Sequence, residues 1–161
     1  MHASTIIEFL RRRGPSTGAE ICAGLSTSQA TLSRALRGCG EVVVAGAARA
    51  TRYAARRRVP GLPEETWIYE IGEAASRRLA RLHPVYPGGF YVESPTPLQG
   101  FYDDLPWFLN DLRPGGFLGR RIPQDFPNLG LPRDVRLWRA DHVLAWLNHE
   151  GVEVPGSLVL G

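Results

Sequence analysis

The 161-residue sequence predicts an α+β fold in two parts, on three observations. Residues 1–58 carry helix-capping signals at close spacing, followed by two short strand-like runs. A Pro/Gly-rich stretch at 59–63 interrupts them, and beyond it several strand candidates lead to an amphipathic helix near the C-terminus. Charge divides at the same place. Residues 1–58 hold ten arginines against Glu8, Glu20 and Glu41, a balance of +7, whereas residues 59–161 hold nine arginines against thirteen acids, a balance of −4. A basic unit joined to an acidic one points to nucleic acid at the first and a different partner at the second.

In the first unit Ile6, Ile7 and Leu10 form an apolar stripe at helical spacing, and Gly14-Pro15 ends that helix. Thr17-x-x-Glu20 fits a capping box, so a second helix starts near residue 18, with Ile21 and Leu25 on its buried edge. Ser26-x-x-Gln29 fits another, almost without a linker, and two helices so closely joined have helix-turn-helix spacing. On the third helix Leu32, Ala35, Leu36 and Cys39 fall on one side, and Thr27, Ala30, Ser33, Arg34 and Arg37 on the other.

Glu41 to Ala45 then reads as a strand, Gly46-Ala47-Ala48 as a tight turn, and Thr51 to Ala54 as a returning strand. A hairpin after the third helix makes this unit a winged helix-turn-helix. Double-stranded DNA is the expected partner. Thr27, Gln29, Thr31 and Ser33 are placed to meet base edges, and Arg34, Arg37, Arg49 and Arg52 to hold phosphates or guanine. Arg56 to Arg58 either extend the phosphate contact or form a solvated linker. A protein-binding winged helix is the alternative for the whole unit. Ser28 to Leu36, S-Q-x-T-x-S-R-x-L, resembles winged-helix transcription regulators in general.

The expected domains are 1–58, a linker at 59–63, and 64–161. In the last, Trp67 to Ile71, Arg77 to His83 and Gly88 to Glu93 are strand candidates, and Pro106 breaks or starts a helix within Leu98 to Leu112. Arg136 to His149 is the clearest helix, with Leu137, Val143, Leu144 and Leu147 on its buried face, and Gly156 to Gly161 reads as a closing strand.

The chemistry-bearing residues form no catalytic set. Cys22 and Cys39 lack C-x-x-C partners and read as reduced, buried thiols. Histidines 2, 83, 142 and 149 show no ligand spacing, so neither metal nor cofactor is expected. Asp103, Asp104 and Asp111 read as helix-end charges, and Gly115 to Arg120 lacks the strand–helix frame of a phosphate loop. No apolar run reaches the roughly 18 residues of a membrane span, and no leader pattern is evident, which points to a cytoplasmic protein without a membrane partner.

Leu105-Pro106-Trp107-Phe108-Leu109, Arg113-Pro114-x-Gly116-Phe117-Leu118-Gly119-Arg120, Asp141-His142 and Pro155-Gly156-Ser157-Leu158 resemble the N-terminal subdomain of HipA-family serine/threonine kinases. The YjjJ-like branch, in which a winged helix precedes that subdomain, is the nearest pattern, and the resemblance covers nearly the whole chain. It implies a kinase core that would begin where this sequence stops, at Gly161. The chain is therefore expected to be non-enzymatic alone. It would be either a separate DNA-binding, antitoxin-like subunit that docks on a HipA-like kinase, or the N-terminal fragment of such a toxin. Phe101, Tyr102, Trp107, Phe108 and Phe117 supply candidate partner anchors, or else fill the domain's own core. Regulators of this kind often dimerise, although no dimer helix is evident.

Overall fold

A computed structural model describes residues 2–72, 75–150 and 158–161. The fold is mixed α+β, with two sheets and five α-helices among the described residues. It divides into two compact units: Met1–Arg57 with His83–Phe90, and Arg58–Leu82 with Tyr91–Gly161.

The first unit begins with α1 (Ala3–Arg13), whose three terminal arginines complement the negative end of the helix dipole. Gly14 ends it at φ +84°, a conformation that side-chain-bearing residues rarely adopt. β1 (Ser16–Thr17) leads into α2 (Gly18–Gly24). The expected capping box is formed: Glu20 N–H donates to the Thr17 hydroxyl, and Thr17 N–H donates to the Glu20 carboxylate at 2.7 Å.

The second expected box is displaced. Ser26 takes φ +49° in the turn after α2, and α3 (Gln29–Ala35) is capped by Ser28, which accepts from Thr31 N–H at 3.2 Å. Thr27 therefore precedes α3, and Arg37 follows it. β2 (Val42–Ala45) and β3 (Arg52–Ala55) pair antiparallel, and β1 adds to the other edge of β3. The turn between β2 and β3 holds a short 3₁₀ segment, Ala48–Ala50. Gly46 stands there at φ +81°, where a Cβ would lie 2.8 Å from the Ala50 carbonyl oxygen. Ile6, Ile7, Leu10, Ile21, Leu32, Val42 and Ala55 form the core of this unit.

Residues 83–90 belong to this unit, which the contiguous 1–58 boundary did not foresee. Arg57 explains much of the attachment. Its backbone N–H bonds the Pro84 carbonyl, its guanidinium bonds the carbonyls of Val85 and Gly88, both at 3.0 Å, and it lies over the Phe90 ring. Arg56 donates to Nδ1 of buried His83 at 2.7 Å. Neither arginine is a solvated linker or a free phosphate ligand.

The second unit holds a five-stranded sheet in the order β7 (Gly100–Tyr102), β6 (Phe90–Glu93), β5 (Ser76–Pro84), β4 (Thr66–Ile71), β8 (Leu158–Leu160). β4 pairs antiparallel with both neighbours, and a bulge at Ile68/Tyr69 shifts its register with β5. A 3₁₀ segment, Trp107–Leu112, follows Pro106, which starts rather than breaks it. α4 (Gly116–Asp125) and α5 (Ala140–Glu150) follow. Val143, Leu144 and Leu147 are buried as expected, but Leu137 is 67% exposed. It lies in a 3₁₀ turn, Val135–Leu137, before α5 starts, and so off the helix's apolar face.

The expected linker is also part of this unit. Val59 is buried, Gly61 packs against Ala145, and Asn148 donates to the Gly61 carbonyl at 3.1 Å. Pro155, Gly156 and Ser157, which carry one resemblance motif and the start of the closing strand, lie outside the described residues.

Candidate nucleic-acid interface

Three acids accompany the ten arginines of residues 1–58, and each is already engaged. Glu8 pairs with Arg12 and Glu41 with Arg11, both at 3.8 Å. Glu20 accepts from the backbone and hydroxyl of Thr17, and these bonds, the backbone one foremost, hold its carboxyl below the ordinary value of 4.5, with Arg13 and Arg52 assisting. Arg34, Arg37 and Arg49 are exposed and have no ion pair or hydrogen bond among the described residues. They sit on α3, just after α3, and in the β2–β3 turn, so the uncompensated charge lies on the segments singled out for contact.

Arg52 differs. Its guanidinium donates to the Pro15 carbonyl at 2.8 Å, tying β3 to the segment before α2. Ser33 is exposed on α3, on the side away from buried Leu32. Thr31 is half-buried, and its hydroxyl is 3.0 Å from that of Ser28, inside the cap. Gln29 accepts from the Cys22 thiol at 3.6 Å, and its amide lies beside Gly18, where a Cβ would come within 2.7 Å of Oε1. Cys22 and Cys39 are both free and only half-buried. The structure thus leaves Ser33, Arg34, Arg37 and Arg49 outward and draws Thr31, Gln29 and Arg52 into local contacts.

A groove of about 660 Å³ runs between the starts of α2 and α3 and the β2–β3 turn, lined by Gln29, Ala48, Arg49, Thr51 and Tyr53 among others. Thr51 and Tyr53 were not singled out in the sequence. Their i, i+2 spacing, which puts them on one face of an extended segment, was the available signal.

In the second unit the five aromatic anchors separate. The Tyr91 and Phe101 rings pack at a 39° tilt with centroids 4.9 Å apart, Tyr102 meets Phe108 edge-on at 6.1 Å, and the Tyr102 hydroxyl donates to the Leu98 carbonyl. Those rings serve the unit's own packing. Trp107 and Phe117 are 65% and 66% exposed, and with Leu137 they are the unit's most exposed large apolar side chains among the described residues. Among the described residues, no three of His, Cys, Asp and Glu converge as metal ligands, and no helix is long and apolar enough to cross a membrane.

Fold and charge together define a two-unit α+β protein with a basic helical unit and an acidic sheet unit. Residues 62–161 match the family described as YjjJ-like toxin, middle domain, and the chain belongs to that family. It is 34% identical over 152 residues to Toxin YjjJ of Escherichia coli (strain K12), a match covering 92% of this chain and 34% of that protein. The chain thus spans about a third of the length of that curated relative. No solved structure matches it.

Proposed function

We propose that the chain is the DNA-binding component of a HipA-type toxin–antitoxin system. The first unit acts as a winged helix-turn-helix on double-stranded DNA, and the second docks on a HipA-like kinase core. The observation that carries this reading is the set of exposed, uncompensated arginines, Arg34, Arg37 and Arg49, on α3, just beyond it and on the hairpin turn, within residues 1–58, whose balance is +7. Ser33 and Arg34 are the groove readers, and Trp107 and Phe117 anchor the kinase partner.

About six phosphate contacts give a log K against log [salt] slope near −5. Titrating the full chain with the duplex upstream of its own gene, at several salt concentrations, tests this. A slope near zero, or no binding, removes the proposal.

The second reading is that the chain is the N-terminal fragment of a HipA-family kinase toxin and is inactive alone. The relative it matches is a toxin of which the match covers 34%, and this reading assigns the chain the same place in a longer protein. Sequencing the DNA beyond the Gly161 codon separates the two. A kinase core continuing in frame or after a frameshift supports the fragment, and a separate complete kinase gene supports the subunit.

A further inference from the structure

The groove beside the hairpin turn has a one-sided chemistry. None of its lining residues is acidic. The Arg49 guanidinium and the hydroxyls of Thr51 and Tyr53 have no hydrogen-bond partner among the described residues. Gln29 Oε1 takes the Cys22 thiol, leaving the amide nitrogen as the free end of that side chain. The nearby carboxylate, Glu20, has its Oε2 occupied by Thr17. Four side chains thus offer unspent donors to a trough whose turn-side wall includes Ala48, small enough for close approach. Such a lining suits a ligand rich in anionic acceptors, and at about 660 Å³ it exceeds what one isolated phosphate needs.

We infer that this groove seats the sugar–phosphate strand of a DNA duplex, with Arg49, Thr51, Tyr53 and Gln29 donating to consecutive phosphate oxygens. The inference rests on the duplex-DNA reading above and adds to it in one respect. Gln29, which the sequence placed at base edges, is given a role of its own on the backbone, and sequence discrimination stays with Ser33 and Arg34. Neutral donors add affinity without releasing counterions, whereas Arg49 does both.

The test uses the full chain and a panel of duplexes of unrelated sequence. Tyr53→Phe and Thr51→Val remove a hydroxyl while keeping ring or branch, so folding is retained, and circular dichroism checks it. Each is expected to weaken every duplex by a similar factor, about 3- to 10-fold, with an unchanged salt slope. Arg49→Ala is expected to weaken all duplexes and make the slope shallower by about 1. If the two hydroxyl variants bind like the parent while Arg34→Ala binds more weakly, the DNA reading stands and the groove assignment falls. The assignment also falls if the variants change the rank order of sequences. A parent chain that binds no duplex at low salt overturns both.

Discussion

Thr17, Glu20 and His142 each hold the first turn of a helix through a hydrogen bond to the backbone. Replacing Thr17 with alanine removes the acceptor for Glu20 N–H and is expected to cost about 1 kcal/mol, read from a denaturant midpoint at unchanged slope. His142 caps α5 with its Nδ1, which accepts the Arg139 N–H at 3.0 Å. Burial, with Arg139 nearby, lowers its proton affinity below the ordinary value of 6.5, against a smaller opposing pull from Asp141. The neutral ring is therefore the form the fold favours. Its contribution is complete above about pH 6.5 and is lost as pH falls through the lower folded value. His142→Glu keeps an acceptor at this position and should move the loss to more acidic pH. Thermal midpoints of parent and variant from pH 7 down to about pH 4 check it; parallel curves would refute the cap's role. The capping box at Thr17 was legible because both its partners lie within four residues. A histidine as a helix-start acceptor was not, because its role depends on which nitrogen faces the chain.

At the scale of elements, α3 and the hairpin turn leave their charge unpartnered among the described residues, whereas the segment after β3 gives each arginine a partner. Arg56, Arg57 and Arg58 are alike in sequence, yet they have different fates. Arg56 meets His83, Arg57 spans the carbonyls of the 83–90 segment, and Arg58 pairs with Glu64 at 3.3 Å. Arg57→Ala is expected to destabilise the first unit by about 1–3 kcal/mol, since its charged donors to the part-buried Val85 carbonyl and the exposed Gly88 carbonyl are lost along with a cation–π contact. The salt slope for DNA of the molecules that remain folded should not change. A variant with parental stability and a shallower slope would mean that Arg57 is a phosphate ligand after all. Gly46→Ala is expected to strain the β2–β3 turn, because the added Cβ meets the Ala50 carbonyl at φ +81°. Amide exchange in the hairpin should rise while α1 stays protected. Strand and helix runs were readable from periodicity, but the 3₁₀ turn that exposes Leu137 was not, since the periodic pattern ran unbroken through residues 136 and 137.

For the whole molecule, the decisive property is that the first unit is discontinuous. Residues 1–58 alone lack the carbonyls that Arg57 binds and the Tyr86 ring beneath Arg11, so that peptide is expected to unfold less cooperatively than the same unit in the full chain. Comparing their thermal transitions by circular dichroism checks this; identical transitions would show that 83–90 adds nothing. The sequence by itself determined the α+β class, the +7 and −4 division, the α2 capping box and, to within a few residues, the strands read between Trp67 and Glu93, because each depends on residues close along the chain. Only the tertiary structure decided which arginines remain free, that 59–63 lies against α5, and that Thr51 and Tyr53 line a groove with Gln29. Those outcomes turn on hydrogen-bond acceptors and packing surfaces supplied by distant segments, and no local pattern records where such a partner will be.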